Sequence, residues 1–447
     1  MFKKPIVIAL TLIIILVLLS LFSLENISMT TNKEFVKALD FITGAIAYII
    51  CSIIVILATR LSIIDKYYPQ DRVYVLHKDL GILVAIISLL HIFCHDILRP
   101  IISPLKEYFK IDILDKSILN IIYEPVLLIV DKTSAKDLGT VIAYIALCLL
   151  AITFIQKISY RVWLKTHRLF ALLFILLALH VFPLFYKRFL LSPLGALLVI
   201  FTVLGTIAAL YILLNLHIKL GSRKLKVLAF KKKDNILRLK LQCSMSDFKD
   251  HKNVNSRFYF LKVGSFNYHS FTASFSSDDM SISFAISVQG EMTKYLYDNI
   301  DSIEYIDVKG PYGNFNLEAG DYLSNRAYIA NGVGSIAYLD FIKDICKENE
   351  IVQSGFIFIL KDKDSLNYLM LKPYLERLTA LCLFVDVIFT KDKGRPDTNY
   401  FKSKLKGMDT VYFCGSPLLK NALEKDLKDT ALKCNFIYEY IRWRHLV

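Results

Sequence analysis

The sequence lacks any closely spaced pair of cysteines, which excludes two classes of stabilised domain. Its eight cysteines are scattered over 447 residues without a Cys-x-x-Cys motif, and Cys51, Cys94 and Cys148 lie inside long apolar stretches. A disulfide framework or a structural zinc site would need cysteines at short, repeated spacings. Neither is therefore expected in this chain.

Charged residues are nearly missing from several long runs in the first half of the chain. Hydrophobic residues make up 55% of the sequence and the mean hydropathy is +0.47, so we expect a membrane half followed by a soluble half. The formal net charge of +14 would suit nucleic-acid binding. The lysines and arginines cluster beside the apolar runs, however, as in the cytoplasmic loops of membrane proteins. We therefore expect no nucleic-acid partner.

The N-terminal apolar run lacks the small-residue cleavage site that would mark a signal peptide. Lys3 and Lys4 precede about twenty apolar residues, which is long for a signal peptide, so a retained transmembrane helix is predicted. Five further segments are apolar and long enough to span a bilayer, which makes six helices. They cover about 41–58, a segment carrying His77 and His91, 138–155, a segment carrying His167 and His180, and 194–214.

Basic residues mark one side of this six-helix arrangement. Lys3 and Lys4, residues 60–72, residues 157–168 and the run after 217 fall on that side, whereas the loop 98–137 on the other side has balanced charge. The positive-inside rule places the basic side in the cytoplasm. We expect a multi-pass protein of the cell membrane whose termini and soluble domains are cytoplasmic.

Two pairs of histidines lie in these apolar segments. His77 and His91 are fourteen steps apart, roughly 21 Å along a helix and within about 40° of one face. His167 and His180 are thirteen steps apart and about 140° from one face, so that helix bends or its rings approach from different sides. One such histidine could bond a neighbouring helix or lie at the interface. Two matching pairs instead predict two bis-histidine haems stacked across a membrane.

The soluble half changes character twice along the chain. Residues 222–320 contain short alternating β-rich runs separated by turns, which predict an antiparallel barrel. From about residue 326, apolar strands alternate with helix-like segments, which predict a parallel α/β domain. The predicted domains are therefore 1–216, 217–321 and 322–447.

Three short stretches in the soluble half are candidates for nucleotide binding. They are His269-Ser270-Phe271-Thr272 at the end of a barrel strand, Gly310-Pro311-Tyr312-Gly313 closing the barrel, and Asn331-Gly332-Val333-Gly334-Ser335 between a strand and a helix. A glycine-rich turn from strand to helix lets backbone N–H groups bind a pyrophosphate. Each stretch taken alone could equally be a tight turn.

Taken in this order, the motifs resemble those of the ferric reductase and NADPH oxidase family of transmembrane flavocytochromes. The resemblance implies a six-helix transmembrane bundle followed by a ferredoxin-reductase-like module, with an FAD-binding barrel and an NAD(P)-binding α/β domain. It implies that His77, His91, His167 and His180 are haem ligands. The implied flavin and nicotinamide elements are His269 to Thr272 (Ser270 replacing proline), Gly290 and Thr293, Gly310 to Gly313, Asn331 to Ser335, and Cys414-Gly415-Ser416-Pro417, with Glu439 and Trp443 near the C-terminus.

The implied activity is electron transfer from cytosolic NAD(P)H through FAD and two b-type haems to an acceptor outside. Flavin is expected between the other two carriers because it accepts a hydride and can pass on single electrons. Thr390 and Lys391, with Lys393 and Arg395, follow the third α/β strand, where relatives contact the 2′-phosphate of NADPH. A solvated basic loop is the alternative, and NADH then stays possible.

The acceptor is left open between two chemistries. His95 lies one turn beyond His91, where superoxide-forming relatives place a polar residue near oxygen. The near-neutral loop 98–137 favours dioxygen over chelated ferric iron. A ferric-chelate reductase is therefore the second hypothesis, and a haem subunit that reduces a separate protein is another. A transporter or channel with a flavin-like regulatory domain, using the histidines as a proton relay, is the alternative of a different class.

Overall fold

The computed structural model forms two compact units, one from the apolar N-terminal half and one made up mainly of the chain from Leu220 onward. The structure describes residues 11–12, 14–18, 32–98, 132–155, 158–184, 192–216, 220–244, 257–276, 279–313, 325–348, 351–429 and 434–438.

The N-terminal unit is helical. Its described elements are α1 (Asn32–Ala58), α2 (Ser62–Tyr67), α3 (Gln70–Phe93) with a π-helical turn at Cys94–Leu98, α4 (Lys132–Phe154), α5 (Tyr160–Leu184) and α6 (Pro193–Leu213). Five of these helices, all except α2, contain a stretch long and apolar enough to cross a membrane. The ends of α6 follow the usual chemistry, since Ser192 accepts the N–H of Gly195 and Pro193 occupies the first turn.

Helices are confirmed in five of the six segments predicted to span a membrane, and their ends differ from the prediction. The predicted first helix lies largely outside the described residues, so the count of six stays a prediction. Helix α1 begins at Asn32 rather than near 41, and α4 begins at Lys132, which shortens the predicted loop 98–137. Hydropathy marks only the segment that must avoid water, whereas a helix continues while its backbone hydrogen bonds can still form.

Helices α1, α5 and α6 pack closely. The Tyr48 hydroxyl donates to Thr202 Oγ1 at 2.9 Å, and the Ser52 hydroxyl donates to the Phe201 carbonyl at 2.5 Å. A side chain at Gly205 would collide with Ser52 and Phe174, so a glycine is needed where these helices meet. Helix α3 differs: only 11% of its most apolar stretch is buried, against 50% for α1. The helix that carries His77 and His91 is thus the least covered of the five.

The second unit begins with a closed antiparallel barrel. Its strands are β1 (Arg223–Lys233), β2 (Ile236–Gln242), β3 (Phe258–Lys262), β4 (His269–Ser276), β5 (Ser281–Ser287) and β6 (Tyr305–Tyr312), with α7 (Glu291–Asn299) between β5 and β6. The order around the barrel is β1-β2-β5-β4-β3-β6. Leu237, Leu239 and Leu241 alternate along β2 and are fully buried, as expected for a strand with one face toward a core. The predicted barrel is confirmed.

A five-stranded parallel sheet follows the barrel. Its strands are β7 (Arg326–Asn331), β8 (Val352–Leu360), β9 (Cys382–Phe389), β10 (Thr410–Cys414) and β11 (Asn435–Tyr438). A 3-10 helix at Gly332–Tyr338 leads into α8 (Leu339–Glu348), and α9 (Leu366–Leu381), α10 (Thr390–Lys393), α11 (Thr398–Leu405) and α12 (Pro417–Asp429) complete it. The strand order is β11-β10-β7-β8-β9. The α/β architecture is as predicted.

The first flavin-like motif was predicted at the end of a barrel strand, and this prediction is wrong. His269 to Thr272 begin strand β4 and do not end one. The preceding turn contains Gly264 with a positive φ of +53°, and it reverses the chain between β3 and β4. The sequence pattern identified the strand but gave no signal for which of its ends the motif occupies.

Candidate metal centres and nucleotide site

The third and fifth of the alternating predicted spans run parallel, so the histidines are expected to pair across the two helices, His77 with His167 and His91 with His180. His77 on α3 and His167 on α5 form the first of these cross-helix pairs. Their ring centroids are 6.1 Å apart and the rings are tilted by 59°. His77 Nδ1 lies 3.2 Å from the carbonyl oxygen of Ile54. Because a carbonyl can only accept, Nδ1 carries the proton and the lone pair is on Nε2.

The spacing of the first pair suits one metal ion between two imidazoles. Two metal–nitrogen bonds of about 2 Å each account for about 4 Å. The remaining distance of about 2 Å is close to twice the separation of a ring nitrogen from its own centroid. His77 and His167 would hold a haem iron in this way, and the haem would supply single-electron transfer.

An indole supports the first pair from one side. The Trp163 ring stacks on His167 with centroids 4.8 Å apart and an interplanar angle of 14°, and Phe170 meets the same imidazole edge-on at 5.4 Å. Trp163 and His167 are four residues apart on α5, so one helix face carries both rings. Arg60 lies within electrostatic range of His77.

His91 on α3 and His180 on α5 are the two histidines of the second predicted pair. His91 Nδ1 lies 3.0 Å from the carbonyl oxygen of Asp40, 3.1 Å from its carboxylate Oδ1 and 3.3 Å from Thr43 Oγ1. His180 Nδ1 lies 2.7 Å from the carbonyl oxygen of Ala135 and within electrostatic range of His91. Both rings therefore donate from Nδ1 and keep the lone pair on Nε2.

Two glycines make room for the second pair. A Cβ atom at Gly44 would lie 2.9 Å from His91 Cε1, and one at Gly139 would overlap the His180 imidazole. Gly44 is on α1 and Gly139 is on α4, so each histidine is held by a different neighbouring helix. Gly139 of α4 thus lies against the His180 ring, whereas His77 of α3 lies beside His167.

The hydrogen bonds from these histidines to neighbouring helices are compatible with metal binding. Metal-bound histidines normally donate their second ring N–H to a backbone carbonyl or carboxylate, as His77, His91 and His180 do here. Among the residues that the structure describes, no group of three or more His, Cys, Asp or Glu side chains could hold a metal ion. A centre with two protein ligands, such as bis-histidine haem, is what this donor set fits.

His95 lies beyond the second pair in the π-helical turn Cys94–Leu98. Its Nδ1 is 2.7 Å from Asp96 Oδ1, and the side chains of both residues are about one third exposed. His180 also interacts electrostatically with His95. The structure thus gives His95 a carboxylate partner that orients its ring.

In the parallel sheet, the strand order creates a crevice where nucleotides commonly bind. The chain runs outward from β7 to β8 and β9, then returns to place β10 on the other side of β7. Ligands of open α/β sheets bind at such a reversal, beyond the carboxyl ends of the strands. Asn331 ends β7 and Cys414 ends β10, so the two predicted nicotinamide motifs meet at this point.

The two turns at the crevice approach each other closely. A Cβ atom at Gly334 would overlap the Cys414 carbonyl, and one at Gly415 would lie 2.6 Å from Asn331 Cβ. Ser335 is buried and donates to the Gly332 carbonyl at 3.0 Å. At the other turn, Ser416 Oγ accepts the N–H of Leu419 just inside α12, beside Pro417. Cys414 itself is buried, with 7% of its surface exposed.

Two of the flavin-like motifs lie on strands that flank β3. Phe258 pairs with Thr272 of β4 on one side and with Tyr312 of β6 on the other. Strands are about 4.8 Å apart, so these motifs are separated by roughly 10 Å. Gly310 and Gly313 both have positive φ, and a Cβ atom at either would meet a ring of β3 at 2.8–2.9 Å.

The remaining flavin-like residues have defined local roles. Thr293 Oγ1 accepts the N–H groups of Gln289 and Gly290 at 3.0 Å, which fixes the start of α7. Burial lowers the pKa of His269, so its imidazole is neutral at physiological pH. Ser270 pairs with Phe260 and Phe271 with Tyr259 in the β3–β4 ladder. Pro311 precedes Tyr312, whose ring stacks on Phe258 at 6.0 Å.

The predicted basic cluster lies at the ends of two neighbouring strands. Thr390 and Lys391 follow β9, and the Lys391 N–H donates to the Lys361 carbonyl after β8 at 3.1 Å. Lys363 lies over the Phe389 ring at 5.9 Å. Lys393 and Arg395 follow within the same exposed turn. Trp443 and Glu439 lie outside the described residues.

Comparison with known proteins supports the transmembrane resemblance. Residues 43–178 match the family described as "Ferric reductase like transmembrane component", a range that includes His77, His91 and His167. That family resemblance is thereby confirmed for this part of the chain. The comparison with curated proteins gives no match.

Several solved structures are similar to the chain at low identity. Ferredoxin-NADP+ reductase from Plasmodium falciparum is 14% identical over 48% of this chain and 96% of its own, with a TM-score of 0.40. Flavohemoglobin from Malassezia yamatoensis is 15% identical over 92% of this chain and 99% of its own, with a TM-score of 0.43. Full-length CYP116B46 from Tepidiphilus thermophilus is 13% identical over 50% of this chain, with a TM-score of 0.40, and this chain spans only 29% of its length.

Several residues of the site escaped the sequence prediction. Asp40, Thr43 and Gly44 contact His91, Gly139 adjoins His180, and Trp163 stacks on His167. The spacing of Trp163 from His167 on one helix was a usable signal. The other contacts join different helices, and no spacing along the chain indicates them.

Proposed function

We propose that the protein is a transmembrane oxidoreductase that passes electrons from cytosolic NAD(P)H through FAD and two b-type haems to an acceptor on the outer side. The observation that carries the proposal is the pair of neighbouring imidazoles at His77 and His167, whose centroids are 6.1 Å apart, with His77 Nδ1 hydrogen-bonded to the Ile54 carbonyl. The second pair, His91 and His180, has the same donor arrangement at both Nδ1 atoms.

The residues are assigned roles by their chemistry. The four histidines would hold two irons through Nε2, and the motifs of β4, β6 and α7 would hold the flavin. When bound, FAD supplies hydride acceptance and the haems supply single-electron transfer. The domains that divide this work are proposed to be residues 1–216, 217–321 and 322–447, with both termini and the soluble domains in the cytoplasm.

The nicotinamide is proposed to bind where β7 and β10 end. Backbone N–H groups of the Asn331 to Ser335 turn would bind the pyrophosphate, and Gly334 and Gly415 keep side chains out of the crevice. Cys414 and Trp443 are the proposed residues beside the reacting rings. Lys391 and its basic neighbours favour NADPH, since a 2′-phosphate attracts such a cluster.

Dioxygen is the proposed acceptor, with His95 as the polar residue near it. The contact with Asp96 fixes the His95 imidazole, which is a single small polar group. One such group suits a small acceptor better than a bulky chelate. Reduction of a ferric chelate is the alternative within the same architecture. A comparison of superoxide formation with ferric-chelate reduction, in wild type and in His95→Leu, separates the two.

The decisive experiment is an anaerobic absorption spectrum of the purified, detergent-solubilised protein with FAD and NADPH. We expect a b-type Soret band that NADPH reduces. A double variant, His91→Ala with His180→Ala, should lose about half of that band. An unchanged band in the double variant would contradict the second centre, and a wild type without haem would favour the transporter hypothesis.

A further inference from the structure

The two histidine pairs have electrostatic surroundings of opposite sign. His91 of the second pair has the carboxylate of Asp40 at 3.1 Å from Nδ1, and Asp40 also interacts electrostatically with His180. His77 of the first pair bonds a backbone carbonyl and interacts with the cation of Arg60. An anion therefore acts on one pair and a cation on the other.

Asp40 is one of three residues of α1 that surround the His91 ring. Asp40, Thr43 and Gly44 lie at i, i+3 and i+4 on α1, so they form one face of that helix. Asp40 supplies both a carbonyl at 3.0 Å and a carboxylate, Thr43 supplies a hydroxyl at 3.3 Å, and Gly44 leaves room for the ring edge. The Asp40 side chain is only 15% exposed, so solvent screens its charge weakly.

A carboxylate close to a ligating imidazole changes the metal that the imidazole holds. The Asp40 carbonyl accepts the Nδ1–H, which fixes the tautomer and orients the ring, while the carboxylate adds a negative charge 3.1 Å from Nδ1. A nearby negative charge stabilises the oxidised, more positive iron over the reduced one. The midpoint potential of that centre is therefore lowered.

We propose that Asp40 is a positioning residue for His91 that lowers the midpoint potential of the second centre below that of the first. The inference rests on the proposed function, since it requires haem at both pairs. It gives the two centres different tasks, because the second becomes the stronger reductant for the final acceptor.

The test is a spectroelectrochemical titration of the full-length protein with both haems bound. Asp40→Asn keeps the size of the side chain and the backbone carbonyl but removes the charge. We expect the equilibrium between oxidised and reduced second centre to shift at least tenfold toward reduced, a rise of about 59 mV for one electron. The midpoint potential of the first centre should not change, and only one of the two low-spin haem EPR signals should change.

Two control variants make the outcome specific to the charge at this position. Asp40→Glu keeps the carboxylate and should retain a potential nearer to the wild type than Asp40→Asn does. Asp96→Asn removes the carboxylate from His95, which is not a proposed ligand, and should leave both potentials in place. If Asp40→Asn loses one haem while Asp40→Glu keeps two, the dependence on the carboxylate is supported.

The outcomes that overturn the inference differ from those that overturn the proposed function. Two haems with unchanged potentials in Asp40→Asn would remove any role for the charge, as would equal loss of one haem in both Asp40 variants. A wild-type protein that binds no haem would instead contradict the proposed function itself.

Discussion

The first and second histidine pairs present the same side chains in different settings. The first is supported by the Trp163 indole and lies near a cation, whereas in the second His91 is hydrogen-bonded to the Asp40 carbonyl, the Asp40 carboxylate lies nearby, and glycines are needed at 44 and 139. The ring orientation is fixed in both cases, by stacking in one and by hydrogen bonding in the other. Two pairs of the same residue type are thus given different electrostatic surroundings by their neighbours.

The largest expected effect is the loss of haem reduction when a histidine is removed, and it should depend on which pair comes first in the electron path. His77→Ala removes a ligand of the first centre and should abolish NADPH-driven reduction of both haems, because electrons enter there. His91→Ala should spare reduction of the first haem. Stopped-flow absorbance at the Soret band, with dithionite reduction as the measure of total haem, distinguishes these results. Equal behaviour of the two variants would contradict the proposed order.

Adding one methyl group at a glycine should remove haem from the second pair alone. Gly139→Ala places a methyl group on the His180 imidazole and should release the second haem while the first remains. Gly44→Ala meets His91 at 2.9 Å and should have a weaker effect, because the neighbour needs to move less. Haem content per protein measures both. Val141→Ala, at an exposed position of the same helix as Gly139, should keep two haems.

Removing the cation near the first pair should shift potentials in the opposite sense to removing Asp40. Arg60→Gln takes away a positive charge that favours reduced iron, so the potential of the first centre should fall while the second stays in place. Arg60→Lys keeps the charge and should stay close to the wild type. The redox titration described for Asp40 measures this, and a rise of the first potential in Arg60→Gln would refute the electrostatic comparison.

The smallest effect should come from the indole that braces His167. An aromatic stack is worth about 0.5–1.5 kcal/mol, so Trp163→Leu should speed haem loss from the first pair by about two- to tenfold. Trp163→Phe should recover part of this stability. Transfer of haem to an apo-globin acceptor gives the rate for each site. Faster loss from the second pair alone would show that the stack has no such role.

Much of the fold was predictable because it depends on local patterns. Apolar length predicted α1 and α3 to α6, strand alternation predicted the barrel, and alternating strands and helices predicted the parallel sheet. Helix ends such as Asn32 and Lys132 were missed, because polar residues can extend a helix beyond the lipid. The place of His269 at the start of β4 was missed, because a strand pattern has no direction.

The candidate site was predictable only in part. The sequence alone determined the four histidines, their spacing and the glycine-rich turns, since these are properties of short segments. The tertiary structure decided that Asp40 lies on His91 across 51 residues of chain, and that β10 returns beside β7 to bring Cys414 to Asn331. Such contacts depend on which helix faces and strand edges pack together, and packing is a property of the whole unit that no local pattern encodes.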